Sequence, residues 1–331
     1  MAEWLYEDGI GENRAALVDG GTIIEAAIEL DETAPLVGAV MAARLGPPVP
    51  PSSALARLED GEALVSPVPR GIGEGGHILV EIVREAIPEP GNPKLPLARP
   101  ATDDAVPRAA PRLLERIGAT GLPVHRLRTG DPDRLEQSGW SELLDEAASG
   151  QIAFAGGRLR LSLTPAMALF DVDGALAPLP LAIAGAGAAG RAIRRLGIGG
   201  SIGIDLPTLA SKADRQAAAA AFDAVLPQPF ERTAVNGFGF LQIVRRRERP
   251  SIPEQLRADR TGAAARALLR AAEHSRGIGA RTLVAAPTLV DRITARPEWV
   301  ERLARSLGAP VMLRAEASLA ISAGYVAVEH P

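Results

Sequence analysis

The chain has 331 residues, a formal net charge of −4 and no cysteine. That length suggests two or three domains with real cores, and the absence of thiols excludes a disulfide framework, a thiolate zinc site and a cysteine nucleophile. No global basic field advertises nucleic acid, and with aromatics at 3% base stacking is not a widespread binding mode. The opening MAEWLYEDGIGENRAAL lacks a signal-peptide pattern. No stretch of about 18 uninterrupted apolar residues occurs, so no membrane span is expected and the default location is the cytoplasm.

Residues 1–35 read as short strands. Trp4-Leu5-Tyr6, Ala15 to Val18 and Thr22 to Ile28 are separated by Gly9-Ile10-Gly11 and by the hairpin signal Asp19-Gly20-Gly21. Residues 36–100 read as a small antiparallel barrel, with candidate strands Gly38 to Leu45, Ala54 to Leu58, Ala63 to Pro67 and Ile78 to Arg84. Pro47-Pro48-Val49-Pro50-Pro51 reads as a loop, because proline cannot serve an inner strand. Pro88 to Pro93 is another loop, and Lys94 to Arg99 closes the barrel.

Residues 101–150 carry helices around Pro111 to Gly118 and Ser141 to Ala148, joined by Pro-, Asp- and Arg-containing sequence that suggests a mobile connector. From 151 the pattern alternates strand and helix. Arg158 to Leu163 and Met167 to Phe170 read as strands, Ala186 to Leu196 as a helix, Ser201 to Ile204 as a strand, Ser211 to Val225 as a long helix and Phe238 to Val244 as a strand. Residues 253–331 add helix Thr261 to Ser275, strand Thr282 to Ala286, helices Ala286 to Arg292 and Pro297 to Leu307, and strand Val311 to Ala315. The expected class is α/β in a multidomain α+β arrangement, with a barrel near the N-terminus, a central α/β core at 151–252 and a small C-terminal α/β domain.

Two aspartates stand out. Asp171 closes the apolar run Ala166 to Phe170, and Asp205 closes Ser201 to Ile204. Carboxylates at strand ends can converge in the crevice that α/β sheets use for ligands. Asp173, two residues beyond Asp171, shares its face. Such oxygens suit Mg²⁺, although Asp residues after strands also serve as loop and helix caps. A competing pattern, Gly185-Ala186-Gly187-Ala188-Ala189-Gly190 with Asp205 beyond, matches the dinucleotide fingerprint and would favour a nicotinamide or flavin cofactor. The alternative is a helix start built of small residues for close packing. Arg245-Arg246-Arg247 with Arg249 can clamp phosphates or form a solvated surface, and Lys94, Arg99, Arg191, Arg194 and Arg195 add positive points. The four histidines, His77, His125, His274 and His330, share no ligand spacing.

The stretch Leu163-Thr164-Pro165-Ala166-Met167-Ala168-Leu169-Phe170-Asp171-Val172-Asp173 resembles the catalytic strand of the ribonuclease E/G family. Arg194 to Asp205, with Gly199-Gly200 and Ile202-Gly203-Ile204-Asp205, resembles a second block, and Asn236 to Arg247 with Pro250-Ser251-Ile252 a third. Glu74 to Ile82 and Gly91 to Leu97 resemble the last strands of that family's OB-type barrel.

The resemblance implies an endoribonuclease of single-stranded RNA. Asp171 and Asp205 would be its catalytic and metal-binding residues, Asp173 a further Mg²⁺ ligand, and Arg245, Arg247, Lys94 and Arg99 its RNA contacts. It implies five segments: 1–35, a β segment packing on the core; 36–100, an OB-like RNA-binding barrel; 101–150, a shortened connector; 151–252, the catalytic-type core; and 253–331, the C-terminal domain. Pro165 stands where the family has Glu, and the paired-Cys zinc link has no counterpart. The alternative function on the same scaffold is RNA binding or ribosome assembly without cleavage, with the ribosome or ribosomal-RNA precursors as partners. A NAD-dependent oxidoreductase is the third reading. A homodimer through the α/β core is compatible with all three.

Overall fold

The computed structural model describes residues 1–32, 35–89, 91 and 93–328. Thr33 and Ala34 of the N-terminal segment, Pro90 and Asn92 of the expected loop, and His330 lie outside the described residues.

The N-terminal segment forms three antiparallel strands, β1 (Glu3–Asp8), β2 (Glu12–Asp19) and β3 (Thr22–Leu30), on the hairpin signals read from the sequence. The chain then enters a closed barrel of β4 (Val40–Val49), β5 (Ser53–Leu58), β6 (Gly61–Val65), β7 (His77–Arg84) and β8 (Leu97–Pro100). Its fifth strand inserts between the third and fourth, parallel to β6 and antiparallel to β7. Ala43, Leu45, Ala56, Ala63, Val65, Val80, Ile82 and Ala98 fill the interior. The expected loop at Pro47 to Pro51 is corrected in part. Pro47 and Pro48 belong to β4, where the register shifts between Leu45 and Pro48. That irregularity accommodates residues that cannot donate to a ladder.

Residues 101–150 are not a bare connector. They contain α1 (Leu113–Gly118), β9 (Val124–Leu127), α2 (Arg134–Gln137) and α3 (Trp140–Ser149). Strand β9 pairs parallel to β1 and completes a sheet of order β3-β2-β1-β9. A strand this short, bounded by turn residues, leaves almost no periodicity in the sequence.

A six-stranded sheet follows, with β10 (Gln151–Phe154), β11 (Gly157–Leu163), β12 (Ala168–Gly174), β13 (Gly200–Asp205), β14 (Glu231–Arg232) and β15 (Phe240–Arg245) in the order β10-β11-β12-β13-β15-β14. Between β12 and β13 runs α4 (Pro178–Arg195), and α5 (Lys212–Asp223) packs beside it. Helix α4 lies between the two sheets, touching β3 on one side and β10, β11 and β12 on the other, and one apolar core joins all of them.

The glycine fingerprint is corrected here. Gly185 to Gly190 sit inside α4, which starts earlier, at Pro178, a proline suited to the first helical turn. Their backbone amides are spent on the helix and cannot cradle a phosphate. Their smallness serves packing: a Cβ on Gly185 would stand 2.4 Å from Val172 Cγ1, and one on Gly190 2.6 Å from Val225 Cγ2.

The chain ends in a third unit. Helix α6 (Ile252–Ala258) leads to α7 (Arg260–Glu273), then β16 (Arg281–Ala285), α8 (Pro287–Thr294), α9 (Pro297–Leu307), β17 (Val311–Ala315) and β18 (Tyr325–Val328), with sheet order β17-β16-β18. Ile10, from the turn after β1, is buried in this unit's core beside Leu268, Leu269, Leu283 and Trp299. No helix among the described residues is long and apolar enough to cross a membrane.

The tight seat of Gly185 gives a signed prediction. Helix propensity alone would have Gly185→Ala stabilise by up to about 1 kcal/mol. The clash with Val172 is expected to reverse this, with a net loss of about 1–2 kcal/mol in urea unfolding. A gain in stability would contradict the packing described.

Candidate active site

Alternation along β12 buries Ala168, Phe170 and Val172 toward α4 and leaves Leu169, Asp171 and Asp173 on the opposite, solvent-facing side. Strand β13 does the same: Ile202 and Ile204 are buried, and Ser201, Gly203 and Asp205 lie on the other face. The two strands are parallel, and Asp171 pairs in register with Asp205. Adjacent strands lie about 4.8 Å apart, so the two carboxylates leave the sheet side by side.

Asp205 is exposed and Asp171 half-buried. Among the described residues neither accepts a hydrogen bond nor joins an ion pair. Like charges in register across strands are unfavourable, and among the described residues no ion pair offsets these two.

The same row continues on both sides. Arg160 of β11 faces Asp171, and Phe240 of β15 faces Asp205. Arg158 faces Asp173 and lies 3.8 Å from its carboxylate. Space above Asp205 is shaped by Gly203, where a Cβ would meet the Phe240 ring at 2.5 Å. Asn236 holds the turn before β15, its Oδ1 accepting from the amides of Phe238 at 2.9 Å and Phe240 at 3.0 Å. This presents Phe238 to solvent, 84% exposed.

The strand expected at Met167 to Phe170 is longer: β12 runs on to Gly174, with Val172 buried between Asp171 and Asp173, so both aspartates stand within it on one face. Asp173 shares the face but does not converge with the other two. Among the described residues, the only three His, Asp or Glu side chains that bring a ligand atom each within 4.8 Å of one another are Glu7, Asp133 and His274.

The basic residues expected near RNA are scattered. Arg245 has the parity of the buried side of β15, away from the aspartates, and its Nη1 donates to the Ile198 carbonyl at 3.2 Å. Arg247 is held by Glu89 at 3.1 Å and by Glu254, and so ties the barrel to α6. Lys94 pairs with Glu89 at 2.7 Å, and Arg99 with Glu81 at 2.7 Å on the outside of the barrel. Lys94 and Arg247 line a cleft of about 730 Å³ with Arg84 and Arg257. That cleft opens at Ala168, Gly200 and Ser201, the starts of the strands that end near the aspartates.

No spacing in the sequence links Glu7, Asp133 and His274, which come from three distant segments. His274 Nε2 lies 3.0 Å from Glu7 and Nδ1 3.5 Å from Asp133. This donor set suits a transition metal, but its surroundings do not. Arg14, wholly buried, pairs with Glu7 and with Glu12, while Arg270 pairs with Glu7 at 3.0 Å and Asp133 at 2.6 Å. Arg266 joins Glu12 at 2.7 Å. Two guanidiniums already neutralise Glu7, so the cluster works as a buried clamp between β1, β2 and α7. Arg158 and Arg160 were also missed, although their alternation with Leu159 and Leu161 signals an outward pair.

Compared with known proteins, the chain matches no family model and no curated protein.

The clamp makes stability depend on pH. Burial would raise the Glu7 carboxyl, but the hydrogen bond to His274 and the charges of Arg14 and Arg270 hold it at about 2. Its contribution is complete above the ordinary value of 4.5 and is lost as pH falls toward 2. Burial pushes Glu273 up to about 7 against the pull of Arg14. Its contribution is complete below 4.5 and lost as pH rises through 7. His274, raised by its hydrogen bond to Glu7, acts in the same sense from 6.5 upward. Glu273→Gln is therefore expected to match the parent at pH 4.5 and exceed it by about 2–3 kcal/mol at pH 8 in denaturant titrations. A difference that stays constant with pH would contradict this.

Proposed function

We propose that the chain is a divalent-metal-dependent endoribonuclease of the ribonuclease E/G type, acting on single-stranded RNA. The observation that carries this reading is the pair Asp171 and Asp205, in register on parallel strands, facing solvent, with no hydrogen-bond or ion-pair partner among the described residues. Two hard carboxylates on an open face fit Mg²⁺, which binds through one or two protein carboxylates and takes its remaining ligands from water and substrate phosphate. Held there, Mg²⁺ would supply positive charge beside a phosphodiester and a lowered pKa for an attacking water.

The chain's own side chains do the rest. Asp171 and Asp205 fix the cation at the centre of the sheet. Arg160, which makes no ion pair among the described residues, offers its guanidinium to a phosphate next to that centre. Phe238 and Phe240 offer ring faces on the other side for stacked bases. The 730 Å³ cleft, with Arg84, Lys94 and Arg257 on its walls, lies at the starts of these strands, and the five-stranded barrel is the OB-kind partner for RNA in this reading.

RNA binding without cleavage is the second reading. It is favoured by Asp173, which lies against Arg158 and leaves the cation only two carboxylates. The oxidoreductase reading loses its support with the fingerprint inside α4.

The test is incubation of the protein with end-labelled, AU-rich single-stranded RNA in Mg²⁺ and in EDTA. Mg²⁺-dependent cuts are expected, reduced about a hundredfold or more in Asp171→Asn or Asp205→Asn. Phe238→Ala is expected to weaken RNA binding about fivefold to tenfold, as loss of one stacking platform would. RNA that is bound and left intact by the parent supports the second reading. Cleavage undiminished in Asp171→Asn/Asp205→Asn contradicts the proposal.

A further inference from the structure

On the side of the six-stranded sheet away from the aspartates, six arginines line one cleft of about 500 Å³. Arg194 comes from the end of α4, Arg245 from the end of β15, Arg246, Arg247 and Arg249 from the segment that follows, and Arg116 from α1 across the gap. Five of them have carboxylate partners, Arg247 being held by Glu89 and Glu254. Arg194 pairs with Glu25 at 3.2 Å, Arg116 with Glu29 at 2.6 Å, Arg246 with Glu248 at 3.1 Å, and Arg249 with Glu85 and Glu248 at 3.1 Å each. Arg245 has none within 4.0 Å among the described residues. Its single hydrogen bond, to the Ile198 carbonyl, leaves most of its donors unspent.

A half-buried guanidinium that no carboxylate contacts is costly: burial lowers the pKa of this one, the charge of Glu25, already paired with Arg194, opposing the shift and that of Arg194 adding to it. An anion entering the cleft would relieve that cost. We propose that this cleft binds a phosphate ester, with Arg245 as its central contact and Arg194 and Arg246 closing around it. Phosphate matches the site because several guanidinium forks converge on one region, and each can engage two phosphate oxygens at once. The cleft has room for more than a bare phosphate, and Ala26, Ala27, Leu196 and Pro250 give it an apolar wall for the rest of the ligand. The phosphate can be a phosphodiester of an RNA strand or the tail of a free nucleotide. This site is independent of the reading given to Asp171 and Asp205, which lie on the other face.

The test uses the full chain in EDTA, so that metal-dependent chemistry plays no part. Inorganic pyrophosphate and a short single-stranded RNA are titrated separately by calorimetry against the parent, Arg245→Gln and Arg245→Lys. Arg260→Gln, exposed at the start of α7, serves as the control, and thermal melting confirms that each variant is folded. Pyrophosphate binding to the parent is expected to weaken about tenfold or more in Arg245→Gln, to be partly restored in Arg245→Lys, and to be unchanged in Arg260→Gln. A parallel fall in RNA affinity, with the slope of log K against log salt reduced by about one, identifies an RNA phosphodiester as the ligand. A fall for pyrophosphate alone identifies a free phosphorylated small molecule. Absence of millimolar pyrophosphate binding to the parent, or equal binding by Arg245→Gln, overturns the site. Asp205→Asn is expected to leave pyrophosphate binding intact, which separates failure of this proposal from failure of the nuclease reading.

Discussion

The parallel pairing of β12 with β13 governs the rest of the molecule. Parallel neighbours need a crossover, and α4 supplies it. A helix of ordinary side chains would stand off from the sheet. With Gly185 against Val172 and a run of alanines beside it, α4 packs closely enough to be covered from behind by β3. The register that results sets Asp171 beside Asp205, and the pleat that buries Phe170 and Ile204 turns both aspartates outward. A slip of one residue would bury two carboxylates and expose the apolar set. The apolar core therefore specifies the acidic pair.

Charge is sorted by face on this scaffold. The open face carries aspartates with arginines and phenylalanines around them. The opposite end of the buried side carries an arginine cleft, and the junction of the N-terminal sheet with α7 carries a third group, fully compensated, centred on Arg14. Compensation separates structural charge from available charge. Arg14, Arg247 and Arg270 are each held by two or more carboxylates and fasten units together. Arg160 and Arg245 have no carboxylate within ion-pair distance among the described residues, and both stand where a ligand can reach them.

Much of the local structure was legible. The hairpins of residues 1–30, the presence of a barrel and most of the core strands and helices follow from turn residues and periodicity, whereas β10, β14 and the parallel pairing of β6 with β8, in a barrel expected to be antiparallel, do not. Asp171 and Asp205 were legible as strand-end carboxylates, and their convergence follows from parallel neighbours. Other features depend on distant contacts. Glu7, Asp133 and His274 carry no mutual spacing, because the fold alone brings β1, the start of α2 and the end of α7 together. Strand β9 is too short to announce itself, and it forms because β1 offers an open edge. Of the two readings of the glycine pattern, small residues for close helix packing is the one the structure supports, because the residues around it continue the helix in both directions. Arg245 was recognised as an arginine of interest, but one residue of strand parity decides which face it serves.

The central claim is that Asp171 and Asp205 share one divalent cation. The most direct measurement is a titration of the protein with Mn²⁺, following free Mn²⁺ by electron paramagnetic resonance, on the parent and on Asp171→Asn, Asp205→Asn and His274→Gln. The account predicts one site in the parent, weakened at least about tenfold in either aspartate variant and unchanged in His274→Gln. Binding that survives both aspartate changes, or that disappears with His274, would contradict it and move the metal to the buried clamp.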